Sequence, residues 1–277
     1  MSPIWNSLRK ETLHDLLFLT CATKFYSNFV APYVYFAAKS NPGSAFEFIV
    51  DDAQNFNLKH QQSLDWLRKN LNVTIVIRCF SSLSIKPRND NSIRFCVDPI
   101  TSSDFVYIGD VDIMIFDNIL SIHAPIFNRG LPYSNIIRPN TKRLTGLHLC
   151  KASSQFPLGN IDDLVKAINN DEELLYAIIE RKGMLYPNDK SADLDVGRPV
   201  HGIHLSLNRL PFSYGKERPG WELSYETLNV FRNISITEEF KDFFESLYPG
   251  SQHILLNLVV LSRGAFSIGP EKFGRLP

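Results

Sequence analysis

The chain has 277 residues, with 29 Lys plus Arg against 29 Asp plus Glu, 44% hydrophobic and 21% charged. This balance excludes long disorder, collagen-like repeats and a coiled-coil rod, and it carries no overall electrostatic footprint for nucleic acid. At about 150 residues per domain, one large domain over 1–277 is expected. Cys21, Cys79, Cys96 and Cys150 are scattered without a C-x-x-C pair, which argues for free thiols in a reducing cytoplasm rather than a zinc knuckle or a disulfide framework. The apolar run Leu16 to Cys21 is far short of the roughly 18 residues of a membrane span, and no small-residue cleavage site follows it. The expectation is a cytoplasmic chain, neither membrane-spanning nor visibly secreted.

After a short amphipathic lead, Leu16 to Cys21 reads as a buried strand, since a brief apolar run entering small and polar residues suits a central parallel strand. Lys24 to Lys39 reads as a helix kinked or split at Pro32. Phe46 to Val50 is a second strand ending in Asp51-Asp52. Leu58 to Leu71 follows, with Leu64, Leu67 and Leu71 at helical spacing, and Val73 to Phe80, β-branched and apolar, is a third strand. Lys86 to Asn91 has loop chemistry, Phe105 to Phe116 is a further strand, Gly159 to Lys182 a helix, and Pro187 to Pro199 an Asp-rich loop. From Phe231 a Glu- and Phe-rich helix precedes an apolar strand, Ile254 to Leu261. This alternation predicts an α/β domain with a mostly parallel central sheet and an irregular C-terminal portion, its ligands bound beyond the carboxyl ends of the strands.

One strand contains an anomaly. Asp110-Val111-Asp112 interrupts the apolar run Phe105 to Phe116. Alternation puts both carboxylates on one side if the strand persists, and they converge if it ends at Gly109. Two like charges together in an apolar setting disfavour joint ionisation, and burial is costly. A divalent cation removes both problems, and Mg²⁺ or Mn²⁺ suits hard oxygen ligands and substrate phosphates. Two surface aspartates capping a strand end would give the same letters.

Apolar strand, Asp-x-Asp and apolar continuation resemble the metal site of GT-A fold glycosyltransferases, which have a Rossmann-like nucleotide-sugar-binding fold. The order of later motifs resembles the retaining family 8 enzymes, whose Asp-x-Asp is followed by Asn-x-Gly, Asp-Gln and His-Gly segments. Arg143 to Leu149 is similar to the first, with Leu144 where Asn would stand. Asn170 to Tyr176 is similar to the second, with Glu172 in place of Gln. Arg198 to His204 is similar to the third, without the usual Lys-Pro-Trp ending. The resemblance covers about residues 16 to 205. It implies Mn²⁺ or Mg²⁺ on Asp110, Asp112 and His201, with His204 in reserve, and a UDP-sugar donor contacted by Val111, Thr145, Gly146 and Gly202. It further implies a nucleotide-binding half over about 12–120 and an acceptor-binding half over about 121–277.

Other readings of the same residues stay open. His201 and His204 flank Gly202 after a polar loop, and a neutral imidazole completes a carboxylate site on Mn²⁺; a satisfied pair of core histidines reads the same. His148 lies in an apolar run, where hydrogen bonding to backbone suffices. Asp171, Glu172 and Glu173 open a helix whose dipole favours negative charge there. The functional alternative puts Asp171 on hydroxyls of the donor sugar and Glu172 on the face of the anomeric carbon opposite the leaving phosphate. Thr20, Cys21, Ala22 and Thr23 offer small side chains to a planar base, and Asp51 or Asp52 offers acceptors to uracil or ribose. Arg138, Lys142 and Arg143 could meet a diphosphate or an acidic acceptor, and Trp221, Tyr225 and the Phe240 to Phe244 aromatics an acceptor glycan or glycolipid.

The expected function is a metal-dependent, retaining transfer of a hexose, galactose by family frequency, from a UDP-sugar to a glycan hydroxyl. Surface polysaccharide or lipopolysaccharide synthesis is the expected pathway, with no nucleic acid partner and peripheral association at the inner face of the membrane. A metal-dependent nucleotidyl or phosphoryl transferase would also place paired aspartates on a strand, and a non-catalytic carbohydrate-binding subunit is the third class.

Overall fold

Leu16 to Cys21 form a strand in which every side chain is buried, and the reason is that both faces of the sheet are covered. The computed structural model describes residues 13–186, 201–205 and 225–268. Strands β1 (His14–Cys21), β2 (Ala45–Val50), β3 (Thr74–Cys79) and β4 (Ser103–Ile108) run parallel in the order β3-β2-β1-β4. Beyond β4 lie β9 (His148–Lys151), antiparallel to it, and the short β6 (Tyr133–Ser134). Side chains alternate along β1. Leu16 and Phe18 join a core with helices α1 (Val30–Ser40) and α2 (Ala53–Leu71), while Leu17 and Leu19 join a second core with α6 (Asp171–Arg181). Phe18 stacks on Phe46 of β2 at 5.1 Å between ring centroids. Burial on both faces is why these strands read as continuous apolar runs rather than as alternation.

The remaining elements are β5 (Ile113–Ile115) paired antiparallel with β10 (Gly202–His204), the ribbon of β7 (Ile137–Arg138) and β8 (Arg143–Leu144), and helices α3 (Ile119–Asn128), α4 (Ala152–Gln155) and α5 (Asp162–Ala167). Three C-terminal helices follow: α7 (Tyr225–Ser235), α8 (Glu238–Glu245) and α9 (Pro249–Ile268). Among the described residues no helix is long and apolar enough to cross a membrane.

Several elements differ from expectation for identifiable reasons. The helix expected over Lys24 to Lys39 is split just ahead of Pro32, into a 3-10 segment Lys24–Phe29 and α1; Pro32 sits in the first turn of α1, where its missing N–H has no helical partner to lose. Helix α2 begins ahead of the expected Leu58 because the Asp52 carboxylate caps it, accepting from the N–H groups of Gln54 and Asn55 at 3.0 Å. The stretch from Gly159 to Lys182 is two helices, since Asn170 turns extended and its amide oxygen caps α6 through Glu173 N. Ile254 to Leu261 belongs to a helix, not a strand. Leu255 and Leu258 are buried and Leu256 is half exposed, a spacing of three that a strand would not bury on one face.

The sheet order fixes where a ligand can bind. The chain leaves β1 toward β2 and β3 on one side and returns on the other as β4, so the crevice beyond the carboxyl ends of β1 and β4 is a topological switch point. The Thr20 hydroxyl donates to the Gly109 carbonyl at 2.6 Å and ties the two strand ends together. Farther back, Glu47 of β2 is fully buried and accepts from Arg78 of β3 and from Ile100 N and Thr101 N. Removing one partner of a buried pair leaves an uncompensated charge, so Arg78→Ala is expected to destabilise the fold by about 3–5 kcal/mol in urea unfolding, with Glu47→Gln costing less.

Candidate active site

The strand expected over Phe105 to Phe116 breaks at the acidic pair. After β4 ends at Ile108, residues Gly109 to Asp112 turn, with Ile113 N donating to the Asp110 carbonyl at 3.3 Å, and β5 resumes. Pairing of β10 on β5 sets His204 opposite Ile113, and Leu205 N donates to the Asp112 carbonyl at 2.7 Å. The result is a buried contact of 3.2 Å between His204 Nε2 and Asp112 Oδ2.

Arg94, carried by the 3-10 segment Asp90–Phe95, closes the other side. Its Nη2 lies 2.9 Å from Asp110 Oδ1 and 3.0 Å from Asp171 Oδ2, and the side chain is only 3% exposed. Gly146 permits this arrangement, because a Cβ there would stand 3.1 Å from Arg94 Nη2. Asp171 and Glu172 form the first turn of α6, and Glu172 accepts from Arg138 Nη1 of β7 at 3.2 Å. These groups surround a polar cavity of about 250 Å³ at the switch point.

Electrostatics follow from burial and pairing. Burial raises the Asp110 carboxyl above its ordinary range; Arg94 opposes the shift and Asp112 adds to it. Burial works against the charge of Arg94, but Asp110 and Asp171 outweigh it and leave the guanidinium more basic than usual. Burial pushes the Cys21 thiol up to about 11, so it lines the cavity as a neutral group.

Of the residues expected from sequence, Cys21, Asp110, Val111, Asp112, Thr145, Gly146, Asp171 and Glu172 line this one cavity, together with His204. Ala22, Asp51 and Asp52 line a neighbouring one of about 230 Å³ that also contains Lys24 and Lys59. Thr20 is spent on Gly109, and Thr23 is buried at the start of the next turn. Lys24 holds a left-handed φ of 56°, its N–H donating to the Asp51 carboxylate and its ammonium 3.1 Å from Asp90.

Two expected site residues lie elsewhere. His201 is turned away from the acidic pair, its Nε2 3.1 Å from His123 Nε2, with His123 Nδ1 2.7 Å from the Ser134 hydroxyl. Residues three apart on extended backbone point to opposite faces, so only one of His201 and His204 can face Asp112, and the β5 register selects His204. Gly202 serves strand approach, since a Cβ would lie 1.7 Å from the Met114 carbonyl oxygen. Of the expected basic residues, Arg138 pairs with Glu172 and Arg143 with Glu173, while Lys142 is exposed. Phe240 and Phe243 pack into the core against Tyr35 rather than facing a glycan. Trp221 and the loop Pro187 to Pro199 lie outside the described residues.

Sequence reasoning missed Arg94 and Asn135. A lone arginine inside Ser92-Ile93-Arg94-Phe95-Cys96 was the available signal, since a buried cation requires carboxylate partners. Asn135 accepts from Thr145 N at 2.8 Å and from its hydroxyl at 2.7 Å, and donates to Thr145 O at 2.9 Å, fixing the turn that presents Gly146. His148 is structural: Asn135 Nδ2 lies 3.1 Å from its Nδ1, and Gln155 Oε1 2.7 Å from its Nε2.

The divalent ion implied by the resemblance can be tested against these donors. Ligands on adjacent corners of an octahedron with bonds of ~2.1 Å stand about 3 Å apart, close to the His204–Asp112 separation of 3.2 Å. Asp110 keeps one oxygen beyond its pair with Arg94, on the side of Gly146. Among the described residues no three such groups are already gathered at coordination distance. Asp112 and His204, with Asp110 adjacent, are the residues that would hold such an ion, which would draw its remaining ligands from phosphate oxygens and water.

No protein-family model and no curated protein sequence matches the chain. Among solved structures it is similar to the apo-form glycosyltransferase GlyE of Streptococcus pneumoniae TIGR4, with 12% identity and a TM-score of 0.49 over 88% of this chain and 64% of that one. It is also similar to an active-site mutant of LgtC, with 13% identity and a TM-score of 0.38 over 65% of this chain and 69% of that one. The chain thus spans less than two thirds of GlyE.

Burial pushes His60, His123 and His148 down to about 4 and His201 to about 3, so all four are neutral when folded. An unfolded histidine takes up its proton near pH 6.5. As pH falls below that, the unfolded chain binds more protons than the folded one, so stability present above about pH 6.5 is lost toward pH 4. Each such histidine steepens the fall by at most about 1.4 kcal/mol per pH unit. Urea unfolding as a function of pH is expected to show this slope, and His148→Gln to reduce it.

Proposed function

We propose that the chain is a glycosyltransferase that moves a hexose from a UDP-sugar to a glycan or glycolipid hydroxyl. The observation that carries the reading is the meeting, in one cavity at the switch point, of the metal-type set Asp110, Asp112 and His204 with the carboxylates Asp171 and Glu172. The resemblance of the Asp-x-Asp and Asp-Gln stretches supports it, because residues separated by some sixty positions in sequence share that cavity in the order the resemblance implies.

The nucleoside occupies the neighbouring cavity, where Asp51 and Asp52 accept hydrogen bonds and Ala22 leaves room for a base. Its diphosphate points along the end of β1 toward Asp112 and His204. When bound, a Mn²⁺ or Mg²⁺ ion would neutralise charge on the departing diphosphate. Arg94 holds Asp110 and Asp171 at fixed separation, so that the ligand wall and the sugar wall form one unit. Asp171 receives sugar hydroxyls, and Glu172, oriented by Arg138, faces the anomeric carbon as nucleophile or as electrostatic partner of an oxocarbenium-like centre. Retention of configuration, galactose as the sugar, a cytoplasmic site at the membrane face, and surface polysaccharide or lipopolysaccharide as the pathway complete the reading.

The test is a panel of UDP-sugars with and without Mn²⁺, read as free UDP. Release of UDP is expected for one donor and not without the metal; pyrophosphate or inorganic phosphate in its place would indicate a nucleotidyl or phosphoryl transferase. Asp112→Asn and His204→Ala are each expected to lower the rate on the order of a hundredfold or more, with His201→Ala far milder. The anomeric configuration of the product by NMR checks retention.

A further inference from the structure

The charges around the cavity carry the reading one step further, and the step rests on it. We infer that the sugar-binding end of the site accepts neutral hexoses and rejects donors whose sugar bears a carboxylate.

A bound carboxylate needs a cation able to turn toward it. Among the described residues, each cation at this cavity is already matched by an acid. Arg94 gives the same Nη2 to Asp110 and Asp171, and its Nε is buried with no partner, sealed from any ligand. Arg138, at the edge, is on Glu172. The sugar-facing carboxylates of Asp171 and Glu172 are about 20% exposed, so they present acceptor oxygens to the cavity. Such a wall receives hydroxyl donors well, and an acidic sugar poorly. A hexuronate would set its own charge against Asp171 and Glu172 with little water between to screen it, and freeing Arg94 or Arg138 to receive it would leave one of those carboxylates without its partner. This is discrimination by repulsion rather than by shape.

The experiment is calorimetric binding to the full chain in Mn²⁺, with UDP, UDP-glucose, UDP-galactose and UDP-glucuronate as probes. UDP-glucuronate is expected to bind at least about tenfold more weakly than the better of the two hexose donors, and the gap to narrow with added salt. In Glu172→Gln, which releases Arg138, and in Asp171→Asn, the gap is expected to shrink, with circular dichroism and the urea midpoint certifying that each variant is folded. A gap below tenfold in the unmodified chain, or one untouched by both variants, overturns the inference and leaves the glycosyltransferase reading standing. Failure of UDP itself to bind overturns both.

Discussion

A single buried guanidinium organises the site. Arg94 sits at 3% exposure between Asp110, which follows β4, and Asp171, which opens α6. The arginine would not be tolerable at this depth without carboxylate partners. Together they fix the relative position of the turn after β4 and the start of α6, and they set the width of the cavity between them. Because the guanidinium is rigid and planar, that width depends on its geometry more than on the packing of flexible side chains.

Around this contact the fold supplies location and little chemistry. The β1/β4 switch point creates the crevice, and double-sided burial of β1 makes its floor stiff. The chemistry comes from short irregular pieces: the turn Gly109 to Asp112, the 3-10 segment that carries Arg94, the cap of α6 and the three-residue strand β10. The Asn135 clamp on Thr145 shows how such pieces are held without regular structure, a side-chain amide meeting both the N–H and the carbonyl of the residue it braces.

The parallel strands were legible because apolar runs bounded by turn residues admit few other readings; Asp110 and Asp112 stood out because two carboxylates in an apolar run need a reason, and Asp171 and Glu172 only through the resemblance to an Asp-Gln segment. What failed to read did so for physical causes. Choosing His204 over His201 requires the pairing register of β10 on β5, a long-range fact that local letters do not contain. Arg94 was hidden because its partners lie far away in sequence, so its burial could not be foreseen from its neighbours alone. Ile254 to Leu261 looked like a strand because a short apolar run does not declare its period; the burial of Leu255 and Leu258 beside the half-exposed Leu256 does.

The position of β10 in the chain has a consequence for biogenesis. Every strand of the main sheet lies before residue 152, whereas the imidazole that meets Asp112 arrives at 204. In a chain made from its amino end, the nascent sheet and its acidic turn emerge first. They wait for a late segment to close over Met114, so the main sheet precedes the last wall of the cavity in the order of synthesis.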